Sequence, residues 1–452
     1  VKSQKQFRPT GMIGFTIVWV GQMVSMTGTG MSRFAITIWA WQVTGEATAL
    51  ALVGFFSFGP AVLFSPFAGA LVDRWNRKLV MMLSDLAAGL STVAILLLFA
   101  TGNLQIWHLY VAGAFAGTFE AFQFPAYSAA VTTMLPKSHY ARANGMLGMV
   151  EASSQIASPI LAGVLLAMIG LGGILIIDIT TFLIAIGLLL VVRIPQPSIT
   201  EAGRQGRGNL WQEGMYGFRY IFERPSLLAL QSIFLAGNLV GGIDLILVPA
   251  MILARTNNNE IILGSVQSAL GIGGVVGGLV LSIWGGPKRR IHALLLSWVF
   301  LGMGLVVMGL GQRLTIWGMG NFGIGFVIPF VNGSNQAIWQ AKVAPDVQGR
   351  VFAARRLIAQ IAFPVSMLSA GPLADHFFEP ALISGGLLSN TFGGLVGIGP
   401  GAGMGLMFVG SGILTVLIGL SGYAIKAVRN VEDILLDHDM VVTAPEAEPE
   451  SI

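Results

Sequence analysis

Five ionisable residues stand inside long apolar stretches of this 452-residue chain: Arg33, Glu120, Glu151, Asp178 and Asp244. A charge in hydrocarbon costs at least about 2.5–3.5 kcal/mol on insertion scales, so residues of this kind are functional candidates or are paired. A carboxylate there takes or releases a proton when its surroundings change between wet and dry. Glu120 is the leading proton carrier. It sits mid-stretch beside Phe119 and Phe122, with no base within a helical turn. Asp244, next to Gly241 and Gly242, is the second. Glu151 lies nearer one end of its stretch and also suits pairing with an arginine. The plain alternative is an Arg33–Glu120 pair that only sets packing.

Other chemistries find little support. The chain has no cysteine, which excludes disulfides, thiolate metal sites and a Cys nucleophile. Its five histidines lack ligand spacing, so no metal site is expected. There is no Walker motif for ATP-driven pumping. Gly271, Gly273, Gly274, Gly277 and Gly278 follow no strand, and small residues there let helices approach closely. No nucleophile–base pair suggests an enzyme, and no cofactor is expected beyond a proton gradient as energy source.

The elements that carry these residues are membrane spans. Only 10% of the chain is charged and 54% is hydrophobic, against about 25% charged in a soluble domain. Crossing the hydrocarbon takes roughly 20 apolar residues. Spans 1–6 are read at 12–42, 48–72, 79–100, 105–133, 141–169 and 172–193. Spans 7–12 are read at 226–254, 261–284, 291–311, 314–341, 348–373 and 402–426. The expected fold is an all-α membrane protein of twelve helices in two six-helix bundles. The bundles occupy 1–193 and 226–429, joined by a linker at 194–225 and followed by an acidic tail at 430–452. Trp211, Tyr216, Phe218 and Tyr220 give the linker an amphipathic helix at the membrane face. Residues 384–405 are glycine-rich and read as an outer loop. Met12–Trp41 is too long for a signal peptide's apolar core and is expected to stay as the first helix.

Lysine and arginine placement orients the chain. All 25 except Arg33, Arg255 and Arg313 fall on one side when both termini are cytoplasmic. The formal charge of +4 therefore reflects topology and calls for no nucleic-acid partner. The expected partners are the lipid bilayer and a small-molecule substrate, with the chain working as a monomer in the plasma membrane.

The halves repeat one plan. Gly69 and Gly277, Arg142 and Arg350, and Ser158 and Ser366 are each separated by 208 residues. Repeats of this sort suit a transporter whose two bundles rock about a central site.

Gly69-Ala-Leu-Val-Asp-Arg-Trp-Asn-Arg-Lys78, between spans 2 and 3, resembles the signature loop of the major facilitator superfamily. Arg142-Ala-Asn-Gly145, Ser158-Pro-Ile-Leu-Ala-Gly163, Ile177-Asp178, Val343-Ala-Pro345 and Gly349-Arg-Val-Phe352 are similar to the branch of macrolide efflux proteins and the enterobactin exporter. The match departs at Asn76 and Ser158, where the family often has glycine, and at Leu281, which faces the place of Asp73 in the second half. The resemblance implies that Asp73 faces the start of span 11, near Asp346–Arg350, and latches the halves on the inner side. A carboxylate gains roughly 0.3–1 kcal/mol at a helix N-terminus. Arg74, Arg77 and Lys78 would hold the loop against neighbours such as Asp85, with Arg350 close by. The resemblance also places spans 1, 2, 4, 5, 7, 8, 10 and 11 around a central cavity. That nominates Arg33, Glu120, Glu151 and Asp244 and leaves Asp178 as a brace. With Asp178 counted beside Glu120, Glu151 and Asp244, four acids against one arginine within the spans would make the cavity negative and favour cationic or amphipathic cargo. Gln22, Asn238, Asn332, Asn335, Gln336 and Gln360 could add hydrogen bonds, and Trp19, Phe115, Phe119 and Trp339 could add stacking. The implied function is proton-antiport export of a drug, macrolide-like compound or siderophore. The alternatives are a lysophospholipid flippase of the same fold and, in another class, a membrane-embedded sensor or enzyme.

Overall fold

The computed structural model describes residues 9–136, 139–195, 210–344 and 347–435, and within these residues it is helical with no strand. In the first half, α1 spans Gly11–Thr44, α2 Ala47–Arg74, α3 Arg77–Ala100, α4 Ile106–Met134 and α5 Tyr140–Val191. A broken backbone at Gly170 (φ 66°, ψ −178°) divides α5 into two arms, at the boundary read between spans 5 and 6. Only glycine adopts that conformation without steric cost, so the chain reverses with no loop. A linker helix, α6, covers Leu210–Phe222. In the second half, α7 spans Pro225–Arg255, α8 Glu260–Trp284, α9 Arg290–Leu310 and α10 Leu314–Lys342. The eleventh span is two joined helices, α11 (Gln348–Gln360) and α12 (Ala362–Leu373), continued by a π turn at Ala374–Phe378. α13 (Ser389–Val396) interrupts the glycine-rich loop, and α14 (Ala402–Ala424) closes the bundle.

Ten helical stretches among the described residues are long and apolar enough to cross a membrane, with both arms of α5 counted as one stretch. α4 is not among them. His108, Glu120 and Gln123 lower its hydropathy, yet its 29 residues pack against α2 and α3 as a bundle member.

Within each half the helices approach through small residues. A Cβ added at Gly117 would lie 2.0 Å from the Ser57 carbonyl oxygen, and one at Gly277 the same distance from that of Phe326. Backbones that close leave no room for a side chain, which is why the glycines of α8 read as packing residues. α1 lies on α5, α2 on α4, α8 on α10, and α9 on α10 and α14. At the loop-rich end of the second half, Arg255 ties three connections together. Its Nε donates to Gly401 O at 3.1 Å, its Nη2 to Val396 O at 2.8 Å, and its Nη1 to Gly311 O. Glu379 accepts from the Gly401 and Met404 amides at 3.0 and 2.8 Å and so caps α14.

The halves meet along two seams. In one, α5 lies on α8: Ser268 Oγ donates to Ile156 O at 3.0 Å, and a Cβ at Gly264 would strike Pro159 O. In the other, α2 lies on α12, with Phe58 and Phe363 edge to face at 5.8 Å. These contacts lie toward the end of the bundle that carries the 44–47 and 256–259 turns, opposite the basic loops.

Candidate functional site

The seam helices carry their neighbours: α4 lies on α2 and α1 on α5 in the first half, and α7 on α12 and α10 on α8 in the second. Arg33 of α1 and Glu120 of α4 meet. Arg33 Nη2 donates to Glu120 Oε2 at 2.5 Å, yet the two side chains remain 61% and 45% exposed. Their neighbours fix which way they face. Gly30 packs on Ser154 and Ser158 of α5, Gly117 packs on Ser57 of α2, and Phe34 reaches Gly264 of α8. The pair therefore stands between the two seam helices of its own half and beside the other half. Buried packing does not explain a pair left this open.

Deeper in the same half, Asp85 is buried and both its oxygens are taken. Gln22 Nε2 donates to Oδ2 at 2.9 Å and Gln123 Nε2 to Oδ1 at 2.6 Å, while Gln123 also donates to Gln22 Oε1 at 3.1 Å. The triad ties α1, α3 and α4 together. Asp85 thus sits with glutamines rather than with the loop bases proposed for it. It lies two helical turns from Arg77, roughly 12 Å at 1.5 Å per residue, which carries it off the loop. Asp178 is a brace, as read. It is buried and accepts from Thr29 Oγ1 at 3.1 Å and Thr92 Oγ1 at 2.9 Å, joining α1, α3 and α5.

Asp244 is 5% exposed in α7 and lies on the side of α14. Among the described residues neither of its oxygens has a hydrogen-bond partner, and Ser411 stands beside it. Of the four acids counted toward a negative cavity, Asp178 and Asp244 are buried against neighbouring helices and Glu120 is paired with Arg33. Glu151 lies on α5, but its side chain is outside the described residues.

The second half supplies a cation that the sequence reading had counted only toward topology. Arg355 Nη2 donates to Gln336 Oε1 at 2.6 Å, and its guanidinium lies 5.3 and 5.2 Å from the ring centroids of Trp339 and Phe352. Asn238 Nδ2 donates to Ala359 O at 3.0 Å and fastens α7 to α11. Trp19 Nε1 donates to Met146 O, so this ring is tied down. Trp339 is fully buried and belongs to the core.

At the basic end the signature loop is partly described. The side chains of Asp73 and Arg74 lie outside the described residues, as does Asp346. Arg77 is buried at the start of α3, and Asn76 Oδ1 caps that helix by accepting from Leu79 N. Lys78 Nζ donates to Leu190 O at 3.1 Å and Val192 O at 2.7 Å, putting its charge on the carbonyl end of α5. Arg350 is exposed and lies 5.3 Å from the Tyr216 ring of α6, while Gly217 packs on Arg350 O. The linker helix is therefore docked on the first turn of the eleventh span.

Asp375 was not foreseen. Its Oδ1 accepts from Ala47 N at 3.0 Å and its Oδ2 from Thr48 N at 2.7 Å, across the α2–α12 seam. A single acid near a span end gives no sequence signal for such a partner.

Two helical bundles meeting along two seams around a polar pair define a membrane transporter of the two-bundle class. Residues 18–367 match the family model described as Major Facilitator Superfamily, and the chain belongs to that family. It is a transporter rather than an enzyme. It is similar to macrolide efflux protein A of Streptococcus pyogenes, with 27% identity over 83% of this chain and 93% of that one. It is also similar to the multidrug efflux pump Tap of Mycolicibacterium fortuitum, with 26% identity over 79% and 88%. Among solved structures, a bacterial homolog of the human lysosomal transporter Spinster, inward-facing and unoccupied, superposes with a TM-score of 0.69. The two are 18% identical and cover 93% and 98% of the respective chains. The nucleoside transporter NupG superposes at 0.65, with 13% identity over 92% and 100%.

Proposed function

We propose that this protein exports lipophilic or amphipathic small molecules across the cell membrane by exchange with protons. The observation that supports this reading most is the Arg33–Glu120 pair, which remains open between the seam helices of its half. A proton arriving on Glu120 cancels its charge and frees the Arg33 guanidinium to move or to take a polar group of the cargo. Loss of the proton restores the pair, so proton and cargo compete for one arrangement and exchange follows. The basic loops set the orientation: the end they occupy is cytoplasmic, and the bundle is closed at the opposite end. Cargo would then enter from the cytoplasmic side or its leaflet. The efflux names carried by relatives across most of their length favour export of drug-like compounds. A cationic cargo is not required, since the pair is neutral overall.

Everted vesicles test the reading. A macrolide or lipophilic dye added outside should dissipate a preformed proton gradient through the wild type and not through Glu120→Gln. Uphill accumulation of such a compound with no proton movement in the wild type would discard proton exchange.

A further inference from the structure

We propose that Asp375 is the carboxylate that holds the bundle shut at the end opposite the basic loops. This inference rests on the alternating-access reading above and adds to it the contact that sets one of its two closures.

The first amides of any helix have no partner within the helix, and they carry the positive end of its dipole. In α2 the local residue in position to satisfy them is Glu46, and its side chain makes no capping bond. The amides of Ala47 and Thr48 are satisfied instead from the other half of the molecule, one by each oxygen of Asp375. Backbone geometry brings the carboxylate there. Gly371, one turn before Asp375, lies against Thr48 so closely that a Cβ would be 2.4 Å from Thr48 Cα. Asp375 stands in the π turn at Ala374–Phe378 that follows. Separation of α2 from α12 at this end leaves two amides and a carboxylate without one another, and this favours the closed arrangement. A second link between the halves, Gln42 Nε2 to Glu260 Oε1 at 3.3 Å, is longer and lies between exposed side chains. It is the weaker of the two.

The absence of native cysteine makes the test direct. Val43→Cys and Leu387→Cys place spin labels on exposed positions of the two halves at this end, 59% and 83% exposed. Pulsed electron spin resonance in lipid nanodiscs then reads the separation. With Asp375→Ala the ratio of long to short separations should rise about 5- to 30-fold, the range for losing one charged helix cap. Ala47→Pro provides an independent route if that variant folds poorly. Proline suits the first helical position and Glu46 is already extended (φ −112°, ψ 130°), so only the N–H is removed. It should shift the ratio in the same direction by a smaller factor, and Asp375→Asn added to it should shift the ratio by less than Asp375→Asn alone. Separations in Asp375→Ala and Ala47→Pro that superimpose on the parent would overturn the proposal. If the ratio shifts while no compound moves protons, the closure stands and the exchange reading fails. If transport is proton-coupled and the ratio stays put, the closure fails alone.

Discussion

Glu120 and Asp85 belong to adjacent helices of the same half, and the protein treats them in opposite ways. Glu120 faces a single cation and remains 45% exposed. Asp85 is buried and faces two amides, one for each oxygen. Gln123, only three residues after Glu120, is what separates the two environments. It turns toward Asp85 and closes the triad, while Glu120 turns toward Arg33. A carboxylate that must exchange protons needs a path to solvent and a partner that can leave. A carboxylate that must fasten three helices needs neither. The contrast shows that depth in the membrane alone does not decide whether a carboxylate is left open or fastened into the fold.

The sharpest way to break the contrast is to remove charge at both sites. Glu120→Gln should bring proton-driven uphill transport down to the level of empty vesicles while the purified protein keeps its melting temperature. If Glu120→Gln drives transport at the wild-type rate, the pair has no coupling role. Asp85→Leu should do the reverse. It leaves the buried Gln22 amide without its acceptor, at about 1–3 kcal/mol, while Gln123 keeps Gln22 Oε1, and should lower the melting temperature by a few degrees while folded protein still couples. Unchanged thermal stability would show that the triad is not a brace. Arg33→Lys keeps the charge but loses the planar fork, so transport should weaken by about tenfold at most and recover better than with Arg33→Gln. Equal loss in the two variants would show that shape, not charge, decides. The smallest effect is expected at Lys78→Met. It removes a cation from the carbonyl end of α5, worth roughly 0.3–1 kcal/mol, and should shift melting slightly with transport rate unchanged.

Much of the fold was legible because hydrophobic run length and basic loops are properties of the chain itself. The break between spans 5 and 6 was placed within two residues of Gly170, since a glycine at a span boundary has few other uses there. Depth was legible too: Arg33 and Glu120, read as lying inside spans 1 and 4, meet in the structure. Azimuth was not. Asp244 stands among glycines like a cavity residue, but the packing of α7 turns it to α14. Gln123 is uncharged and gave no sign that it would claim Asp85. Arg355 read as one more basic residue near a cytoplasmic end, although its guanidinium lies between Gln336, Trp339 and Phe352. Asp375 finds its partners across the seam from within a π turn, and no spacing in the sequence announces either. Residues 384–405 were read as an irregular loop, while the structure places the two-turn helix α13 within it.

The three carbonyls gathered by Arg255 give that loop a practical use. Because Gly311, Val396 and Gly401 are fastened to one guanidinium rooted in α7, the crown they form belongs to the second half and should turn with it. A nanobody selected against α13 would be a rigid marker of that half in electron micrographs. It would give a small, featureless membrane protein the asymmetry that particle alignment needs, and its angle to the micelle would report which way the bundle faces.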